Sequence, residues 1–167
     1  FVDDHHESLL LTNIPRPGDS DYKDFLKEIK LTMILFTWMS EMSESEIAEK
    51  FNVGAGDIFR TVNTAQWLTR ALLRFCDLDG FGEFKQLVSE MYTRISFGVK
   101  SSLRDLVGLK GVGRVRARNL YRGGIKTLED VKTASLEKLA SVKNIGTALA
   151  KKIKSQVENG KENVGER

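Results

Sequence analysis

The sequence predicts an all-α protein in two parts, a helical bundle followed by a duplicated unit of two helices joined by a tight glycine turn. Three observations carry that prediction. Apolar residues recur at three- and four-residue intervals through the first half, and no period-two alternation marks a strand. The formal charge changes sign along the chain: residues 1–98 carry 10 Lys and Arg against 16 Asp and Glu, whereas residues 99–167 carry 16 against 7. A stretch at 106–120, LVGLKGVGRVRARNL, returns without gaps at 139–153 as LASVKNIGTALAKKI, an offset of 33 residues.

The elements follow in order. Residues 1–21 contain Pro15, Pro17 and Gly18 in IPRPGDSD and have no periodicity, so they read as a linker or the edge of a preceding domain. A first residue Phe1, without the basic and apolar regions of a leader, suggests a piece of a longer protein. The bundle spans 22–98. Phe25, Leu26, Ile29, Met33, Leu35 and Phe36 predict a first helix from 22 to about 40. The run Ser43-Glu44-Ser45-Glu46 is a capping box opening a short second helix that ends at Phe51-Asn52. Gly54 and Gly56 turn the chain, and Asp57 caps a third helix over 58–75. Residues 77–82 break it, and a fourth helix runs over 83–97. Projected at about 100° per residue, the third helix places Ile58, Val62, Ala65, Leu72 and Leu73 on one apolar stripe. Trp67 falls about 180° away, beside Arg60, Arg74 and Asn63. A tryptophan opposite the core stripe packs against another domain or offers a stacking platform for bases. Trp38 extends the apolar side of the first helix and is expected in the core.

Residues 99–158 form the second part, and 159–167 are expected to be a disordered tail. The two copies share Leu106/Leu139, Leu109/Val142, Lys110/Lys143, Val112/Ile145, Gly113/Gly146, Ala117/Ala150, Arg118/Lys151 and Leu120/Ile153. Between them Gly123-Gly124 ends one helix and Thr127 to Asp130 cap another. In each copy a glycine opens the second helix, where free N–H groups and the positive end of the helix dipole favour an anion. Arg114, Arg116 and Arg118 surround the first turn, and Lys151, Lys152 and Lys154 the second. A plain glycine-capped hairpin explains one copy, but two copies, each with a lysine before its turn and basic residues after it, point to nucleic acid. Such contacts read phosphate and shape, with little sequence preference expected.

The paired motifs resemble the helix-hairpin-helix family on Leu109, Gly111, Val112, Gly113, Ala117 and Leu120. The second copy departs with Asn144 in place of Gly111, a residue that takes such turns less freely, so a weaker phosphate contact is expected there. Together with WMSEMSESEIAEKFNVGAGDIFRTVNTAQWL and LVGLKGVGRVRARNLYRGGIKTLEDV, the chain over about 22–157 resembles the C-terminal part of archaeal Ski2-like superfamily 2 DNA helicases of the Holliday-junction-migration type. The resemblance implies a bundle with a winged-helix-like, ratchet-helix portion and then a tandem helix-hairpin-helix domain. It implies that the third helix tracks a single strand, with Arg60 contacting DNA and Trp67 stacking, and that Arg114, Arg116 and Arg118 form the terminal domain's arginine motif, which grips the emerging strand. The candidate DNA-binding residues are therefore Arg60, Asn63, Trp67, Arg74, Lys110, Gly111, Gly113, Arg114, Arg116, Arg118, Lys143, Gly146, Lys151 and Lys152. The implied partners are single-stranded, forked or branched DNA and the chain's own upstream motor domains, with a monomer as the default.

Other chemistries are poorly supported. No G-x-x-x-x-G-K-S/T phosphate loop or acidic box after a buried strand occurs, so no catalytic residue and no cofactor are expected here. ATP and Mg would belong to motor domains upstream. The DLDGFG run imitates a calcium loop but has Phe81 and Val88 where oxygen ligands are needed. His5 and His6 lack a third spaced metal ligand, and the serines and threonines have no histidine partner in the expected folded region. The absence of about 18 consecutive apolar residues excludes a membrane-spanning helix. A single cysteine, Cys76, fits a reducing cytoplasmic setting and a small buried side chain. Two rival readings remain: a helix-turn-helix regulator, from the spacing over 46–62, and a scaffold whose basic hairpins dock an acidic protein.

Overall fold

The computed structural model describes residues 13–78 and 80–159, and every described regular element is helical. The first four described helices are α1 (Tyr22–Met39), α2 (Glu44–Phe51), α3 (Ala55–Phe75) and α4 (Lys85–Phe97), the last entered through a 3-10 turn at Gly82–Phe84. After a second 3-10 turn at Ser101–Leu103 come α5 (Arg104–Val107), α6 (Arg114–Arg122), α7 (Leu128–Thr133), α8 (Leu136–Ser141) and α9 (Thr147–Glu158). The helix-turn-helix spacing of α2 and α3 carries no β-wing among the described residues. His5 and His6, most of the linker, Asp79 of the DLDGFG run and all but Asn159 of the expected tail lie outside the described residues.

Local chemistry sets the helix ends. The Ser43 hydroxyl accepts from the Glu46 N–H at 3.3 Å and the Glu46 carboxylate accepts from the Ser43 N–H at 2.8 Å, closing the capping box that opens α2. Helix α3 begins three residues before its predicted start. Gly54 is its N-cap, and Asp57 sits inside the first turn, its carboxylate accepting from the Gly54 N–H at 3.2 Å. Thr127 and Asp130 close the same reciprocal bonds at the start of α7.

Two apolar cores form. Ile34, Ile47, Ile58, Val62 and Ile95 fill the first, with Trp38, Met42, Phe51 and Val53 against it. Residues from Val99 to Ile153 fill the second, with Leu103, Leu106, Leu120, Ile125, Leu139, Ile145 and Ile153 wholly buried. The α3 stripe differs from the predicted one beyond Ala65. It runs through Thr69 and on to the buried Cys76, leaving Leu72 43% exposed. Thr69 enters a core position because its hydroxyl donates to the Ala65 carbonyl at 2.5 Å. In α1 the buried residues are Ile34 and Thr37, and Leu26 and Phe36 of the predicted stripe are exposed.

Candidate nucleic-acid interface

The repeat in the sequence becomes a repeat in space: α5, a turn and α6, then α8, a turn and α9, with α7 between them. Gly111 turns the first hairpin at φ +90°, and the Val112 N–H donates to Leu109 O at 2.9 Å. Asn144 turns the second at φ +67°, and the Ile145 N–H donates to Val142 O, also at 2.9 Å. The two turns share a positive φ at the matching position and a hydrogen bond of the same span and length. Asn is one of the few residues that adopts this left-handed region.

Glycine suits the first turn because φ +90° strains any L side chain, and a neighbour from α9 adds to that. A Cβ on Gly111 would lie 2.9 Å from Leu149 Cδ1 of α9. At the 33-residue offset, the partner of Leu149 is Arg116, and Arg116 approaches Asn144 from the carbonyl side. Its Nε donates to Asn144 O at 3.0 Å while its NH1 donates to Gly111 O at 2.9 Å. Asn119 Nδ2 donates to Lys143 O at 2.9 Å, and Gln156 Nε2 donates to Lys110 O at 3.3 Å. Each hairpin is therefore braced by a side chain from the other hairpin's helix. The bracing satisfies turn carbonyls that would otherwise repel an anion.

Gly113 and Gly146 are the N-caps of α6 and α9, and both have open space where a Cβ would stand. The first N–H groups of each helix, lacking intrahelical acceptors, lie beside these open glycines. Gly113, Arg114, Val115, Arg116 and Asn144 line an open cleft of about 480 Å³ between the hairpins. Lys110, Lys143, Lys151 and Lys152 are exposed on the same hairpin domain. A second cleft, about 340 Å³, is lined by Asn119, Arg122, Gly123, Lys138, Ser141, Val142 and Lys143. Arg122 and Lys138 were absent from the sequence-derived set because they lie outside the aligned repeat. Lys154, grouped with Lys151 and Lys152 in the sequence, instead donates to Ala134 O at 2.5 Å, behind α7.

The arginine motif divides. Arg116 braces the hairpins as described. Arg114 turns toward the bundle, donating to Met42 O at 2.5 Å with its guanidinium 5.1 Å from the Trp38 ring centre. Burial holds it below the usual guanidinium range, against the raising influence of Glu41, Glu44 and Glu46. Arg118 forks onto Glu41, with Nε to Oε2 at 2.7 Å and a second, shorter bond from NH2 to Oε1.

On the bundle, Arg60, Asn63, Trp67 and Arg74 are all exposed on α3, Trp67 at 69%. Arg60 has only a loose ion pair with Asp57, at 3.7 Å. Trp67 is thus outside the core, while Trp38 packs at its edge with Nε1 donating to Ile95 O at 2.7 Å. No group of acidic, histidine or cysteine side chains suited to a metal ion occurs among the described residues. No described helix is long and apolar enough to cross a membrane.

Comparison with known proteins agrees with this geometry. Residues 1–98 match the family described as archaeal helicase, domain 4, and residues 103–159 match the SAM-like helix-hairpin-helix tandem. The ATP-dependent DNA helicase Hel308 of Thermococcus kodakarensis is 33% identical over 141 residues, covering 84% of this chain and 12% of the relative. The Hel308 proteins of Methanocella arvoryzae and Pyrococcus horikoshii are 35% and 36% identical, over 92% and 80% of this chain. The chain spans only 12% to 21% of the length of these curated relatives. On the match over its first 98 residues, followed by the tandem hairpins, the chain belongs to the archaeal helicase domain 4 family.

Proposed function

We propose that this chain is the DNA-binding accessory part of an ATP-dependent DNA helicase, acting on single-stranded or forked DNA. The observation that carries the reading is the pair of braced hairpins. Each presents the N-terminal N–H groups of a helix beside an open glycine, with exposed lysines on the same domain and its turn carbonyls bonded by side chains. The bundle adds Arg60, Asn63, Trp67 and Arg74 on the exposed face of α3, where an indole stacks a base and the arginines hold phosphates. The names of the relatives support the helicase assignment. On this reading ATP and Mg serve motor domains outside this chain, the chain acts as a monomer, and the parent protein is cytoplasmic.

The charge distribution favours the same division of labour. The bundle half carries excess acid, which opposes a broad grip on duplex phosphates and suits a narrow track for one strand. The basic hairpin half supplies the electrostatic attraction. Fluorescence anisotropy of labelled single-stranded, duplex and forked DNA, titrated at two salt concentrations, tests the assignment. Salt-dependent binding that favours single-stranded or forked DNA is expected. Absence of binding to every form at low salt would overturn it in favour of a protein-docking role.

A further inference from the structure

Four of the described helices end with a residue in the left-handed conformation. For α2, α4 and α6 that residue is Asn52, Gly98 and Gly124. For α1 it is Glu41, at φ +72°. The hydrogen bonds there are those of a Schellman ending: the Met42 N–H donates to Thr37 O at 3.1 Å and the Glu41 N–H to Trp38 O at 3.0 Å. Glycine takes this place without strain, whereas a side chain at positive φ carries a conformational penalty that surrounding contacts must offset. Glu41 has such contacts. Its carboxylate accepts the Lys100 N–H at 3.1 Å, at the entry to the hairpin tandem, and both nitrogens of the Arg118 fork from α6. The two side chains are only 14% and 21% exposed. Beside them Arg114 reaches the Met42 carbonyl, the next residue along, and lies over Trp38. A looser pair, Arg104 with Glu90 of α4 at 3.6 Å, spans the same boundary.

We propose that Glu41, Arg114 and Arg118 form a joint that fixes the hairpin tandem on the bundle, and that the two arginines are positioning residues and not phosphate contacts. The bidentate fork that would hold a phosphate is filled by a carboxylate of the same chain. Arg114 and Arg116 both border the open cleft, but the Arg114 guanidinium is bonded to Met42 O and lies over Trp38. Phosphate binding then falls to the N-termini of α6 and α9 with Lys110, Lys143, Lys151 and Lys152. The joint sets the direction in which a strand leaving α3 meets them. This inference rests on the proposed DNA-binding function for its consequence, but the joint itself is testable without DNA.

The test places spin labels at the exposed positions 64 on α3 and 155 on α9, with Cys76 replaced by Ser, and reads the distance distribution between them. The parent should give one narrow distance. Arg118→Ala and Glu41→Gly should both broaden it, and the double variant should be no broader than Glu41→Gly, which already removes the Arg118 contact along with that to the Lys100 N–H. Glu41→Gly is informative because it relieves the backbone while removing the carboxylate. A helix end of local importance only would leave the distance narrow, and that result would overturn the joint. In parallel, the salt dependence of single-strand binding is measured for Arg118→Ala and Lys151→Ala. Loss of a phosphate contact lowers the slope of log affinity against log salt by about 0.7 for a single strand. Lys151→Ala should show that change and Arg118→Ala should not. A lowered slope for Arg118→Ala with an unbroadened distance would make Arg118 a phosphate contact and sink the proposal. If no variant or parent bound DNA, the functional reading would fail, and the label distances would still decide the joint.

Discussion

Replacing Gly98 by alanine concentrates two separable penalties at the boundary between bundle and hairpins. Gly98 stands at φ +61°, where an L side chain costs about 1–2 kcal/mol. The new Cβ would also lie 2.6 Å from Trp38 Cε2 and 2.9 Å from Cζ2, far inside van der Waals contact. The indole has no easy retreat, since its Nε1 is bonded to Ile95 O at 2.7 Å and its ring carries Arg114. Overpacking of this kind costs about 1–3 kcal/mol, so the expected total is about 2–5 kcal/mol. Gly124→Ala supplies the control. Gly124 has φ +81° with nothing within 4 Å of a built Cβ, so it should lose only the backbone part, about 1–2 kcal/mol. Urea unfolding followed by helical circular dichroism measures both, with an unchanged denaturant slope. Equal losses for the two variants would refute the reasoning, because they would mean that Trp38 moves aside at no cost.

Trp67→Ala should weaken single-strand affinity by about 1–3 kcal/mol if the indole stacks a base, yet leave the urea midpoint within about 0.5 kcal/mol because the side chain is 69% exposed. An affinity change below about 0.5 kcal/mol would return Trp67 to a packing role against another domain. Arg116→Ala should destabilise the chain by about 1–2 kcal/mol through loss of its bonds to Asn144 O and Gly111 O, read by urea unfolding. Acid should loosen the joint. Burial raises the pKa of Glu41, but the hydrogen bonds from Arg118 and from the Lys100 N–H outweigh it and hold the carboxyl below its ordinary range, with Arg118 and Lys100 charges adding to that effect. The resulting stability is present above the unfolded-chain value and is lost as pH falls through the lower folded one. Acid titrations of the parent and Glu41→Gln should therefore converge at the lowest pH and separate as pH rises.

Much of this architecture is legible in the sequence because its determinants are local. Ser43 with Glu46 and Thr127 with Asp130 are three residues apart, and a capping box needs nothing else. The 33-residue repeat announces two hairpins, and the wheel places Trp67 away from the core of α3. The same rules failed where a local pattern met a tertiary choice. Leu72 fits the apolar stripe of α3, yet the stripe bends toward Thr69 and Cys76 because a threonine can satisfy its own hydroxyl on the helix. Lys154 reads as one more surface cation until α7 presents the Ala134 carbonyl.

The arginine motif shows the limit most clearly. Three arginines at alternate positions beside a glycine turn determine a dense positive charge at the start of a helix, and composition alone establishes that much. Successive side chains on a helix nevertheless point about 100° apart, so residues two apart face different neighbours. Arg116 meets the second hairpin, and Arg114 and Arg118, four residues apart, share the face turned to the bundle. Arg118 bonds to Glu41 across 77 residues of chain. Local spacing determined that the charges would be present and roughly where. Only the packing of one core against the other decided which partners within the chain each arginine meets, because an ion pair depends on where distant segments meet.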